Sequence, residues 1–127
     1  MAFQKGDIVA IYEPKQCKMV PVCILEVIPQ NGRTEYLVTG HSKQTGNVSH
    51  ASITHDFLKK NGFKDNSSSA YDYFDRGNLH LCKEDDGCVW TARIDGVNDR
   101  PPVAYIDELQ ELIKNYHDKI GDIILSV

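Results

Sequence analysis

The chain has 127 residues, 41% of them hydrophobic and 25% charged, with a formal net charge of −4. That is ordinary globular composition, enough for one medium domain or two small ones. The net acidity argues against a broad nonspecific nucleic-acid binder, and no apolar run approaches the roughly 18 residues of a membrane-spanning helix.

Residues 1–53 read as β. Asp7–Tyr12 (DIVAIY), Met19–Ile28 (MVPVCILEVI) and Glu35–Thr39 (EYLVT) are short β-branched runs, and Gly46–Ile53 is a weaker one. Gln30-Asn31-Gly32-Arg33 is the clearest hairpin turn, because Asn-Gly tolerates the positive φ angles that a tight turn needs. In the second run Val20, Val22 and Ile24 alternate with Cys23, Leu25 and Val27, so both faces are partly apolar, as in a strand that curls through a small barrel. Pro21 lacks a donor and marks an edge or a bulge. Lys5-Gly6-Asp7 followed by an apolar strand resembles the opening of SH3-like small barrels, including the Tudor and KOW types. The resemblance implies a small β-barrel, and such barrels bind peptides, nucleic acids or nothing at all, so the fold alone does not give the function. Tyr12, Lys18, Arg33, Tyr36 and Lys43 are its candidate binding surface, as the available aromatic and basic side chains.

Residues 54–127 read as an α+β domain. THDFLKKNGF predicts a short helix with Thr54 as N-cap, Phe57 and Leu58 inward, Gly62 as stop and Phe63 folding back. Lys64–Ser69 is a polar loop. A meander follows, with strands at Ala70–Asp75, Asn78–Lys83 and Cys88–Asp95, and a fourth at Pro102–Tyr105. Arg76-Gly77 is the first turn and would set Phe74 opposite Leu79. A two- or four-residue turn within Glu84–Gly87 aligns Leu79 and Leu81 with Trp90, Ala92 and Ile94, because a one-residue slip would invert a face. That register puts Cys88 with Trp90 and Cys82 on the other side. Ile106, Leu109, Leu112, Ile113 and Tyr116 then form one stripe of a helix running to Gly121. Phe74, Leu79, Leu81, Trp90 and Ile94 are the sheet face that receives it. The tail beyond, Ile120–Val127, is apolar enough to fold back as an edge strand or onto the barrel, or to pair with a second copy, so monomer and homodimer both stand.

The chemistry-bearing residues are weighed by spacing. Cys17 and Cys23, like Cys82 and Cys88, are separated by five residues, looser than the two to four that structural zinc favours. A leader-like start is lacking, so reduced thiols and a cytoplasmic location are expected. With four cysteines and five histidines, Cys–His pairs arise by chance. Glu84-Asp85-Asp86-Gly87 reads as a hairpin turn, and HSKQTG at 41–46 is not a phosphate-binding loop. No nucleophile, metal or cofactor set emerges. Positive charge concentrates in the first half, which leaves room for a nucleic-acid face on the barrel.

The order ITHDFLKKNGF, then YDYFD…LHL…VWTARI, then VAYIDELQELI resembles a set of small uncharacterised proteins encoded by phages and mobile elements of gut Bacteroidetes. In that set a helix opening in a Tyr-x-x-Glu-Leu-Gln-like run closes the chain, as Tyr105, Glu108, Leu109 and Gln110 do here. The resemblance implies the same α+β architecture and no catalytic residues or cofactor. The expectation is a non-enzymatic binding or accessory protein of such an element, acting on a protein partner. The alternative is a nucleic-acid-binding module that uses the barrel.

Overall fold

The computed structural model describes residues 3–84 and 86–127; Asp85 of the predicted acidic turn lies outside the described residues, as do Met1 and Ala2. The protein is mostly β, with two antiparallel sheets of four and five strands and short helices. They belong to two units: the chain up to Ser52 together with Ser126–Val127, and Ile53–Leu125. Among the described residues no helix is long and apolar enough to cross a membrane.

The first unit holds β1 (Ile8–Glu13), β2 (Lys18–Gln30), β3 (Arg33–Val38) and β4 (Ser49–His50), in the order β3-β2-β1-β4. The β2–β3 turn is the expected one: Asn31 and Gly32 have φ of 41° and 83°, and Gln30 faces Arg33. The two apolar faces of β2 have a local cause, a bulge. Ile24 faces Val38 and Glu26 faces Leu37, which leaves Leu25 outside the ladder and exposed. The inward phase therefore changes along the strand. Val20, Val22 and Ile24 serve the core before the bulge, and Val27 serves it after. Pro21 sits where its missing donor is harmless. The Ile24 N–H points to Asp7 of the preceding chain and the Cys23 N–H points the other way, to Thr39 Oγ1. By alternation the Pro21 nitrogen faces away from β1, and β3 pairs β2 only from Ile24 onward. The 41–46 loop folds back on β3 through paired backbone hydrogen bonds between Tyr36 and Thr45. Among the described residues no ladder joins β3 to β4, so the pairing is an open order and not a closed ring.

The second unit begins with α1 (His55–Lys60), capped by Thr54, whose Oγ1 accepts from the Phe57 N–H at 3.1 Å. Gly62 at φ 81° turns the chain, and the Phe63 N–H returns to the Leu58 carbonyl. Lys64–Asp65 is not loop but a strand, β5, on the edge of β6 (Tyr71–Arg76). The serine run after it is pinned by Asn66 and Ser68 N–H groups to the Tyr73 and Tyr71 carbonyls. Then come β7 (Leu79–Glu84), β8 (Trp90–Ile94), β9 (Pro102–Val103), α2 (Ile106–Asn115) and α3 (His117–Ile120), with sheet order β5-β6-β7-β8-β9.

Two turns differ from expectation. The first is Gly77-Asn78, one residue later than Arg76-Gly77, so Phe74 faces Leu81 and Arg76 faces Leu79. Moving a turn by one residue shifts each pairing by two positions, which keeps the faces. The second connection is longer than four residues, and Leu79 pairs with Ile94 and Leu81 with Ala92. Phe74, Leu79, Leu81, Trp90 and Ile94 are all buried, as are Ile106, Leu109, Leu112 and Ile113 of α2. The last helix breaks at Tyr116 (φ −112°, ψ 27°), because beyond it His117, Asp118 and Lys119 offer no apolar face to hold. The tail forms no strand among the described residues; Leu125 is buried and Ile124 is 85% exposed.

Candidate binding groove

The expected surface on the first unit does not converge. Tyr12 and Lys18 flank the β1–β2 connection, where Tyr12 faces Met19 and Glu13 faces Lys18. Arg33 lies at the far end of the thirteen-residue β2, bridged to Glu35 at 3.2 Å. Lys43 is on that same end, next to Gln44, which accepts a hydrogen bond from Gln30. Tyr36 is not a surface residue at all. It is 7% exposed and packs in the core with Val9, Ile11, Val22, Ile24 and Val38. Its inward position follows from the alternation of β3, which puts it on the same face as Val38; the bulge sets Val27 and not Glu26 opposite it.

A better-built feature lies on the outer face of the five-stranded sheet. Alternation that sends Asp72, Phe74, Leu79, Leu81, Trp90 and Ala92 inward sends Tyr71, Tyr73, His80, Cys82, Thr91 and Arg93 outward. With the 87–89 segment and Arg100 they line a groove of about 590 Å³. Cys82 pairs with Tyr73 on one side and Thr91 on the other, so two small side chains form its floor between larger walls. Tyr71 and Val89 are about half exposed. Cys88, expected beside Trp90, lines the groove instead, because β8 starts only at Trp90 and the connection before it is free of the strand's alternation.

One end of the groove is tied by a polar network. The Arg93 Nη2 donates to the Tyr73 hydroxyl at 2.9 Å, and Arg93 Nη1 lies 3.4 Å from Asp95. That hydroxyl, then the neighbouring Asp95 and Asp75 carboxylates, hold the guanidinium's pKa above its ordinary value. His80 bridges two carboxylates, with Nδ1 on Asp75 and Nε2 on Asp95 at 3.1 Å. The second oxygen of Asp75 accepts from Asn66 Nδ2 at 2.6 Å. The inner face carries its own charge cluster. Asp72 is buried, faces Lys83 across the strands, and binds His55 Nε2 at 2.9 Å. The Lys83 hydrogen bond is the main reason the Asp72 carboxyl lies below its usual range; burial opposes it and His55 helps. Lys83 also sits 5.2 Å over the Trp90 ring.

All four cysteines carry free thiols. Among the described residues no group of three or more histidine, cysteine and acidic side chains converges to hold a metal ion. Sequence reasoning missed the groove although its signal was present: Tyr71 and Tyr73 are spaced by two in a strand whose Phe74 points inward. No family model matches the chain, and no curated protein or solved structure matches it.

Proposed function

We propose that this is a non-enzymatic binding protein that engages a protein partner through the outer face of β6, β7 and β8. The carrying observation is the groove itself, open to solvent and composed of tyrosines, arginines and an exposed valine over a small-residue floor. Tyrosine and arginine dominate the energetic centres of protein interfaces, where they supply large contact area and forked donors. A binding role also fits His80: both ring nitrogens are engaged by carboxylates, so neither is open to activate the Cys82 thiol beside it as a base. The SH3-like reading of the first unit is part of this proposal, supported by the Lys5-Gly6-Asp7 opening and the bulged central strand. The setting in a phage or mobile element, and in the cytoplasm, is supported by the sequence resemblance and by a thiol content suited to a reducing compartment.

Site-specific photo-crosslinking tests it. A crosslinker at Val89, in the groove, captures a defined protein from lysate of the producing cells, whereas one at Tyr12 does not. Capture at Tyr12 alone, or recovery of nucleic acid there, transfers the function to the first unit.

A further inference from the structure

Two arginines line the groove, Arg93 on β8 and Arg100 just before β9. Trp90 pairs with Val103 and Thr91 with Pro102, and the Ala92 N–H bonds the Pro101 carbonyl at 2.9 Å. The chain leaves the ladder before Arg100, but this course carries it back along β8 toward Arg93, and both line the groove. Like charges that share one groove are unfavourable. Arg93 is compensated by Asp95 and fixed by Tyr73. Arg100 is exposed and has no ion pair among the described residues. The Tyr71 hydroxyl, beside the floor of Cys82 and Thr91, likewise has no hydrogen-bond partner among them.

We infer that the groove recognises an acidic peptide segment of the partner. A carboxylate lies between Arg93 and Arg100, and a neighbouring apolar or aromatic side chain rests on Cys82 and Thr91 beside Tyr71. This rests on the protein-binding reading above and adds the ligand's charge. A guanidinium pair offers forked donors that match a carboxylate, and the anion removes the repulsion between them. A polyanion fits worse. Glu84 lines the same groove, and Asp75 and Asp95 adjoin its arginine end, so a nucleic-acid backbone tracking across the sheet would meet acids on its way. A peptide with one or two carboxylates need not.

Selection of a random displayed peptide library on the intact protein tests this, with Thr91→Trp, which fills the exposed floor, as background. Circular dichroism verifies that each variant is folded. The expected outcome is enrichment of net-acidic peptides with an aromatic or aliphatic residue beside the carboxylate, lost on Thr91→Trp. Arg100→Glu should weaken a synthetic copy of the enriched peptide about tenfold or more. Neutral or basic peptides that depend on Thr91, or acidic ones indifferent to Arg100→Glu, overturn the charge assignment and leave the groove as a protein-binding site. No enrichment over the Thr91→Trp background overturns both. Binding of labelled oligothymidylate that is lost on Thr91→Trp overturns both in favour of nucleic acid.

Discussion

The two faces of the five-stranded sheet carry similar side chains to different ends. Each has an aspartate, a histidine and a cation joined between neighbouring elements. On the inner face Asp72, His55 and Lys83 close around one another next to Trp90 and Phe74, and the carboxylate has lost its water. On the outer face Asp75, His80, Asp95 and Arg93 form a chain along the side of an open groove. The same residue types thus stabilise where they are desolvated and saturated, and stay available where the chain of partners is left open. Burial decides which, because an ion pair matters to folding only when water cannot replace either partner.

The sharpest way to break this contrast is Lys83→Met. It strands a buried carboxylate with His55 as its remaining partner, and should cost about 3–5 kcal/mol in urea unfolding. A wild-type-like midpoint would show that Asp72 is solvated after all. Leu109→Ala, on the apolar stripe of α2, should cost about 2–5 kcal/mol, against far less for Gln110→Ala beside it. Equal melting shifts would deny that the helix has one dry face. Acid sharpens the contrast further. The folded Asp72 carboxyl lies below its ordinary 3.8, so its stabilising contribution is complete above that value and disappears as pH falls through the lower folded one. Unfolding midpoints measured down the acid range should fall more steeply for wild type than for Asp72→Asn; parallel curves would remove Asp72 from the acid response. The smallest effect belongs to the outer face. Arg93→Met should leave the melting temperature close to wild type while weakening whatever the groove binds.

Much of this was legible in the chain. Thr54 and Gly62 bracket a helix by cap chemistry, Asn31-Gly32 fixes a hairpin, and the Leu79, Leu81, Trp90 and Ile94 alternation gives the core face even though both turns were misplaced. Faces survive such errors because a shift of two pairing positions preserves parity. The bulge at Leu25 was hidden, since an extra residue in a strand leaves no compositional mark beyond apolar residues on both faces. The burial of Tyr36 was legible instead, since it shares a strand face with Val38. The groove needed the connection before β8: Cys88 looked like a strand residue, and only its release from the ladder brings it and Val89 beside Cys82. The break at Tyr116 was readable in part, since the apolar stripe thins after Ile113, yet the charge pattern of Lys114, His117 and Lys119 argued for continuation.

The bulge also governs which changes in chain length this protein tolerates. Adding a residue between Pro14 and Cys17 disturbs an exposed turn, where the Gln16 and Cys17 N–H groups bond the Glu13 and Pro14 carbonyls, and leaves the alternation of β1 and β2 as it is. Removing Leu25 takes out the extra residue itself. Ile24, Glu26 and Val27 would then face Val38, Leu37 and Tyr36 in unbroken alternation, so Val27 stays on the core side and Glu26 stays outside. The one exposed, unpaired leucine is therefore the residue this strand can lose without turning a carboxylate inward. What goes with it is the local bend of β2.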